Sequence, residues 1–593
     1  MKRSILLSLT LALAILAAAP GCNKVLNEQP RASIDPAFFR TPEGLEGGIA
    51  GIYSSLRGHW STQIFSQLFN GGTDEMVRGG AADVQHYFTY SPLMASNTND
   101  YSGFWNSLYI DINTANGILQ YGADAQMDAA RKAQLLAQAK FLRAFCYYFL
   151  VTTFGDVPLH LEFNTSPTSA DARAPIADVY AAIIKDLTEA AAELPDQPGT
   201  GLGKPAYKAT ALFLLAKTYL WRGWSAAAQA SDFNNAFDIS KELIDNKAVY
   251  GLDLWPAFID GFLEGNEYGM ETIMVVDHTK DLKFGQNSAP GSFASNLSEN
   301  KSNFMFRPNY PTVNANYPAS GGASVCVRDI QNGRPFLRIR PNMRYLLDVA
   351  FANRATDSRY DGTFQTVWLS NSTQMAPAGT PGAVTPRGTL INKVDTAIWC
   401  ADRVVSPAER AAFKGIILEP EHLPGATVPF TGTMFPSLRK WDDSTRADLN
   451  DYSDRPYILF RFAEVYLIAA EAAFKGGATM QDAADMLNVL RIRAARKPDQ
   501  TPAEYAAAVA AQTITPAQVT LDFILDERTR ELYGEAVRWW DLARTRTLVP
   551  RLQQYNLEGG PNVKDFHMLR PIPQQQIDLV TEGPPFPQND GYF

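Results

Sequence analysis

At 593 residues and 46% hydrophobic side chains, the chain is too long for one compact core, and its length predicts two to four domains or one extended repeat array. A formal net charge of −9 disfavours nucleic acid as a partner, because nucleic-acid binders carry a basic patch that displaces counterions. Four cysteines in so long a chain exclude a disulfide framework.

Lys2 and Arg3, then "ILLSLTLALAILAAA", then "APGC" ending at Cys22, predict a signal peptide over 1–21. The apolar run falls short of the roughly 20 residues that span a bilayer. "PGC" resembles a bacterial lipobox, with Ala19 and Pro20 in place of the usual leucine and small residue. Cys22 is therefore expected to be lipidated, which anchors the protein to a membrane through lipid and makes 22–40 a polar tether. No later stretch is apolar enough to cross a bilayer.

Thr41, Pro42 and Glu43 read as the capped start of an amphipathic helix running to Leu56. Residues 58–103, broken by Gly71, Gly72, Gly79 and Gly80, read mostly as loop. From 104 to 250 the pattern is helical almost throughout, in successive segments such as "DAARKAQLLAQAKFLRAFCYYFLVTTFG", which places Cys146 in the core. Leu215, Ala216, Tyr219, Gly223 and Ala236 recur at spacings that resemble a tetratricopeptide repeat, whose small residues let antiparallel helices approach closely.

Between 251 and 456 the composition turns to Asn, Ser, Gly and Pro, with Trp255, Trp368, Trp399, Trp441 and many Phe and Tyr. Disordered chains are poor in aromatics, so this predicts an irregular, loop-rich subdomain packed on the helices. Cys326 and Cys400 read as two buried thiols, with a bond between them left open. A second helical unit follows at 457–496, with an alanine patch and a glycine turn. The expected fold is mainly α, a tetratricopeptide-like helical-pair scaffold (41–250 and 457–593) carrying a loop-rich aromatic insert (251–456).

"ERTRELYGEAVRWWDLART", Glu527 to Thr545, concentrates carboxylates, guanidiniums and tryptophans. Leu525, Leu532, Ala536, Trp539, Trp540 and Ala543 predict one apolar stripe on a single helix. Glu527 with Arg530, Glu535 with Arg538, and Asp541 with Arg544 are each three apart, the spacing at which helical side chains meet. A glycosidase needs two carboxylates across an open cleft, one with a raised pKa, whereas carboxylates beside guanidiniums have lowered values. The stretch therefore reads as structure.

The same stretch resembles the "ER..EL..E..RW.DL.R" signature of SusD-like (RagB/SusD) outer-membrane nutrient-binding lipoproteins, through Glu527, Arg528, Glu531, Leu532, Glu535, Arg538, Trp539, Asp541, Leu542 and Arg544. "RPYILFRFAEVYLIAAEA", "LNVLRIRA", "LRPIPQQQI" and the terminal "FPQNDGYF" also resemble family blocks, the last with Asp590 in place of proline, and three early helical blocks agree in order. The resemblance covers most of the chain outside the middle. It implies a tetratricopeptide scaffold, lipid-anchored at the outer membrane and facing the cell exterior, that binds glycans or other nutrients without catalysis and hands them to a SusC-like TonB-dependent transporter. The acidic run that often follows the lipidated cysteine in the family is absent.

Other chemistry finds no support. The six histidines are scattered without zinc spacing, there is no nucleophile elbow or phosphate loop, and no catalytic residue, metal or cofactor is expected. Asp448, Asn450, Asp451 and Asp454 lack the glycine and bidentate glutamate of a calcium loop. A sugar binder needs aromatic faces and a few polar groups presented from loops on a rigid frame. The early loops offer Asp74, Arg78, Asn99 and Tyr101; in the resembling family, loops of this region often face ligand. The insert offers Tyr310, Tyr317, Trp368 and Trp399. The leading expectation is an oligosaccharide- or polysaccharide-binding lipoprotein. An exported scaffold that binds only protein is the alternative, and a glycoside hydrolase ranks third.

Overall fold

The computed structural model describes residues 36–98, 100–166, 168–199, 203–279, 300–314, 317–319, 324–371 and 395–592. The expected signal peptide, Cys22 and most of the tether lie outside the described residues, as does Asn99.

Helix α1 (Pro42–Leu56) starts where Thr41 accepts the Gly44 N–H at 3.0 Å, with Pro42 in its first turn, a cap that supplies one of the amides a helix start leaves unpaired. Residues 58–103 are less irregular than expected: α2 (Gln63–Asn70) lies within them, capped by Thr62 and burying Phe65, Leu68 and Phe69. The glycines after it end this helix and hid it in the sequence.

Helices α3 (Ser102–Tyr121), α4 (Ala129–Phe154), α5 (Ile176–Glu193), α6 (Lys208–Trp224) and α7 (Asp232–Asp245) pack each on the next. The series continues across some two hundred residues of sequence, because α7 packs on α8 (Phe462–Ala472) and α8 on α9 (Met480–Ala494). Nearly every side chain of α4 from Ala137 to Phe154 is buried, since neighbours cover it on several sides. This is a mainly α fold of stacked helices around one large core.

The insert leaves and rejoins the stack through paired strands: β2 (Thr272–Val276) runs antiparallel to β9 (Tyr457–Arg461). Between them the chain is largely irregular, held by short pairings. β1 (Met76–Arg78) pairs with β3 (Ile339–Pro341), β4 (Phe364–Gln365) with β8 (Ser437–Leu438), and β5 (Val367–Leu369), β6 (Thr396–Cys400) and β7 (Ile416–Leu418) form one sheet. Trp368 and Trp441 of this part are buried and Trp255 and Trp399 half-buried. Cys146, Cys326 and Cys400 are buried free thiols. No helix among the described residues is long and apolar enough to cross a membrane.

The expected single helix through 525–543 is two: α10 (Leu521–Leu532) and α11 (Arg538–Arg544), followed by α12 (Leu548–Tyr555). Gly534 breaks it at φ 80°, with Ala536 at φ 57°, and the Ala536 N–H donates to Asn70 Oδ1 at 3.0 Å. A Cβ on Gly534 would lie 2.5 Å from Leu438 Cδ2. Gly534→Ala is therefore expected to destabilise the fold by about 1–3 kcal/mol, read as a lowered urea midpoint, with a silent substitution as the contrary result.

Candidate ligand-binding site

The charged side chains of α10 and α11 are all engaged, and all but the exposed Asp522 and the partly buried Asp526 are buried. Glu527 accepts from Arg359, Arg491 and Arg530 at 2.7–2.9 Å, and Glu531 is ion-paired with Arg359, Arg461 and Arg493 at 2.5–3.2 Å. Burial alone would raise both carboxyls, but three guanidiniums around each outweigh it and hold both far below the ordinary carboxylate range. The expected pairs Glu527–Arg530 and Asp541–Arg544 form. Glu535 and Arg538 do not pair, because the break at Gly534 carries them apart: Glu535 takes Lys440 and Arg461, and Arg538 takes Asp74. Glu527, Glu531 and Asp541 are buried with lowered carboxyl pKa, the opposite of the raised pKa beside an open cleft that a general acid for glycoside cleavage requires.

Four sequence-nominated contacts are core residues instead. Asp74 is fully buried and holds Arg538 and Arg551; burial pushes its carboxyl up, but the two guanidiniums bring it down to about 2. Tyr101 packs edge-on against Phe69, Tyr87 and Phe154. Tyr310 and Trp368 stack on each other with ring centroids 6.3 Å apart, both buried. Aromatics in a loop-rich stretch look exposed in sequence, yet here they form the core that holds the loops. Arg78 is half-exposed and donates to Gln85 at 2.8 Å, and Tyr317 is half-buried.

Trp399 is different. Along β6, Ala397, Ile398 and Cys400 are buried and Trp399 is part-exposed, beside Phe413 and under the guanidinium of Arg403, 5.5 Å from its ring. It opens onto a cavity of about 460 Å3, also lined by Arg354, Tyr360, Asp361, Thr366, Asp402 and Lys497. The wall is rigidly built. A π-helical turn, Leu346–Ala350, delivers Arg354, a backbone irregularity frequent at functional sites. Arg354 donates through Nε to Asp402 and through Nη1 to the Phe351 carbonyl at 3.3 Å. Lys497 donates to the Arg354 carbonyl at 2.9 Å and to Asp361 at 3.2 Å. The Tyr360 hydroxyl is buried and makes no hydrogen bond among the described residues; burial, then the Asp402 carboxylate, push its pKa up, so it stays a neutral donor.

One aromatic face with fixed donors and acceptors around it is what stacking on a pyranose and bonding its hydroxyls require. Of the sequence-nominated residues that the structure describes, Trp399 alone lines this cavity. Arg354, Tyr360 and Asp361 were legible only as a polar run, "NRATDSRYDG", and Lys497 lies far away in sequence after α9. A second cleft, about 590 Å3, lies among α4, α5, α6, α11 and the C-terminal tail and shares no lining residue with the first. Asp448 Oδ1 accepts from the Asn450 backbone N–H, and Asn450 Oδ1 accepts from Arg328 Nη2; no metal-binding cluster occurs among the described residues.

Residues 425–592 match the model of the "SusD family", and residues 26–220 match "Starch-binding associating with outer membrane". SusD-like protein P2 of Formosa agariphila is 31% identical over 47% of this chain; the match spans about half, 53%, of that protein. SusD-like protein P25 of the same organism is 26% identical over 94% of both chains. Among solved structures, a SusD homolog from Bacteroides thetaiotaomicron superposes with a TM-score of 0.67 at 18% identity, covering 94% of this chain and 98% of its own. A laminarin-binding SusD-like protein superposes with a TM-score of 0.63 at 21% identity, covering 93% and 100%. At such identities these structures establish the shared fold.

Proposed function

Because the chain belongs to the SusD-like family, we propose that it is a non-catalytic glycan-binding protein of the outer membrane, which captures an oligosaccharide or polysaccharide and passes it to a SusC-like TonB-dependent transporter. The observation that carries the binding reading is the half-exposed Trp399 ring beside the fixed polar wall of Arg354, Tyr360, Asp361, Asp402 and Lys497. The description of the N-terminal family match, starch binding and association with the outer membrane, supports the ligand class and the location. Cys22 would supply the lipid anchor, and a protein so anchored on the cell surface meets polymeric ligand before the transporter does.

The frame bears the load and the insert meets the ligand. Stacked helices fix α8 and α10, the 343–361 segment packs on α10 with the Ser358 N–H donating to the Ala494 carbonyl at the end of α9, and the polar wall inherits their rigidity, so little ordering entropy is spent on binding. The paired carboxylates of α10 and α11 contribute stability and take no part in ligand chemistry.

Calorimetric titration with laminarihexaose and with maltoheptaose tests the site. Saturable binding of at least one is expected, weakened at least about tenfold in Trp399→Ala, the loss of one stacking face, with an unchanged melting temperature because Trp399 packs only on a small satellite cluster. Undiminished binding by that variant overturns the site, and co-purification of protein partners without sugar binding overturns the glycan reading.

A further inference from the structure

The tail "FPQNDGYF" departs from the family pattern it resembles at Asp590, and the backbone does not ask for that residue. The Tyr592 N–H donates to the Asn589 carbonyl at 3.2 Å, and Gly591 sits at φ 86° with Phe566 where a Cβ would go. In such a turn the position before the glycine favours proline. Asp590 is exposed and makes no hydrogen bond among the described residues. Its neighbours, by contrast, are pinned. The Asn589 amide donates to the Phe154 and Arg570 carbonyls at 2.9 Å each, and Gln588 exchanges two 2.7 Å bonds with the backbone of Ile572.

This pinning sets Asp590 on the wall of the 590 Å3 cleft, within the range of about 300–1,000 Å3 for small-molecule sites. Trp224 and the half-buried Phe566 line it as well. Trp224 is anchored through Nε1 to Glu471 at 2.8 Å, with Lys475 Nζ 4.1 Å from its ring centroid. Arg173 is fixed by the Asp156 carbonyl at 2.7 Å and by Asn589 Oδ1 at 2.6 Å. Arg546, held at φ 57°, exposes a guanidinium whose side chain has no partner among the described residues.

We propose that this cleft is a second saccharide-binding site, with Trp224 and Phe566 as its apolar faces and Asp590 and Arg546 bonding ligand hydroxyls. The mixture of charges selects the class. A hydroxyl both donates and accepts and so uses a carboxylate and a guanidinium alike, whereas an anion meets Asp156, Asp565 and Asp590 and a cation meets Arg173 and Arg546. The proposal shares its ligand class with the Trp399 reading and none of its residues. A separate site would let one molecule hold two stretches of a chain and gain avidity without new contacts at either.

The test uses protein carrying 5-fluorotryptophan, with the Trp224 and Trp399 fluorine resonances assigned through Trp224→Phe and Trp399→Phe, titrated with laminarihexaose and separately with maltoheptaose. At least one sugar should shift Trp224 along a saturable isotherm of its own. Asp590→Pro, which suits the turn, and Asp590→Asn should each weaken that isotherm about tenfold, as for loss of a charged hydrogen bond, and leave the Trp399 isotherm unchanged. A Trp224 resonance that neither sugar moves at millimolar concentration overturns the second site whatever Trp399 does, and so does an isotherm indifferent to both Asp590 substitutions. A shift at Trp224 with Trp399 unmoved overturns the Trp399 site and leaves this one standing.

Discussion

Replacing Glu531 by alanine lowers the stability of the fold by about 3–5 kcal/mol, the range for removing one partner of a buried ion pair. The magnitude follows from what is left behind. Arg359, Arg461 and Arg493 converge on this one fully buried carboxylate, and all three guanidiniums remain inside when it goes. Asp357, Glu527, Glu271 and Glu535 still hold them partly, which keeps the loss from tripling. Glu46 is the control: it bonds Arg131 at the surface with both side chains over 40% exposed, and Glu46→Ala should cost under about 1 kcal/mol. Urea denaturation followed by tryptophan fluorescence reads both. A loss at Glu531 no larger than at Glu46 would mean that the convergent cluster contributes no net stability.

Asp111→Asn gains stability relative to wild type as pH rises from about 4 to about 7. Asp111 is buried on α3 with Oδ2 lacking a hydrogen bond among the described residues, and burial pushes its carboxyl up to about 7, eased by Ser55. Glu75 is pushed to about 7 as well; burial outweighs Arg538, whose guanidinium already serves Asp74. An acid with a raised folded pKa holds its proton more tightly folded than unfolded. Its contribution is therefore fully present below the unfolded value near 4 and is lost as pH rises through 7, about 3 to 4 kcal/mol per group. Three histidines act oppositely: burial lowers His59 to about 4 and His278 and His567 to about 3, so they lose stability as pH falls below about 6.5. The informative quantity is thus the difference between wild type and Asp111→Asn, which should grow in the variant's favour by about 4 kcal/mol from about pH 4 to about pH 8. A pH-independent difference contradicts the assignment.

The helical frame was legible because its cause is local. Thr41 caps and Pro42 opens a helix in any context, and the apolar spacing of α3 to α7 survives in the core. The junction at Gly534 was half legible: a glycine within "ELYGEAVR" signals a helix end, but the apolar stripe continues across it at helical spacing. The site was poorly legible for a physical reason. Trp368 differs from Trp399 only in which way a short strand turns it, and that depends on partners from remote segments. Asp74 shows the same dependence: its partners Arg538 and Arg551 lie more than 460 residues away, so no local pattern could tell a buried anchor from a ligand contact.

The claim on which the rest depends is that the carboxylates of α10 belong to the frame. Carbon-13 NMR of selectively labelled glutamates in the folded protein, titrated downward in pH, tests it directly at Glu527 and Glu531. Both carboxyl resonances should stay at their ionised positions to the pH at which the fold itself is lost. A resonance that titrates in the ordinary glutamate range or above, while the protein remains folded, would mean a solvent-exposed or proton-donating group and would contradict a purely structural role.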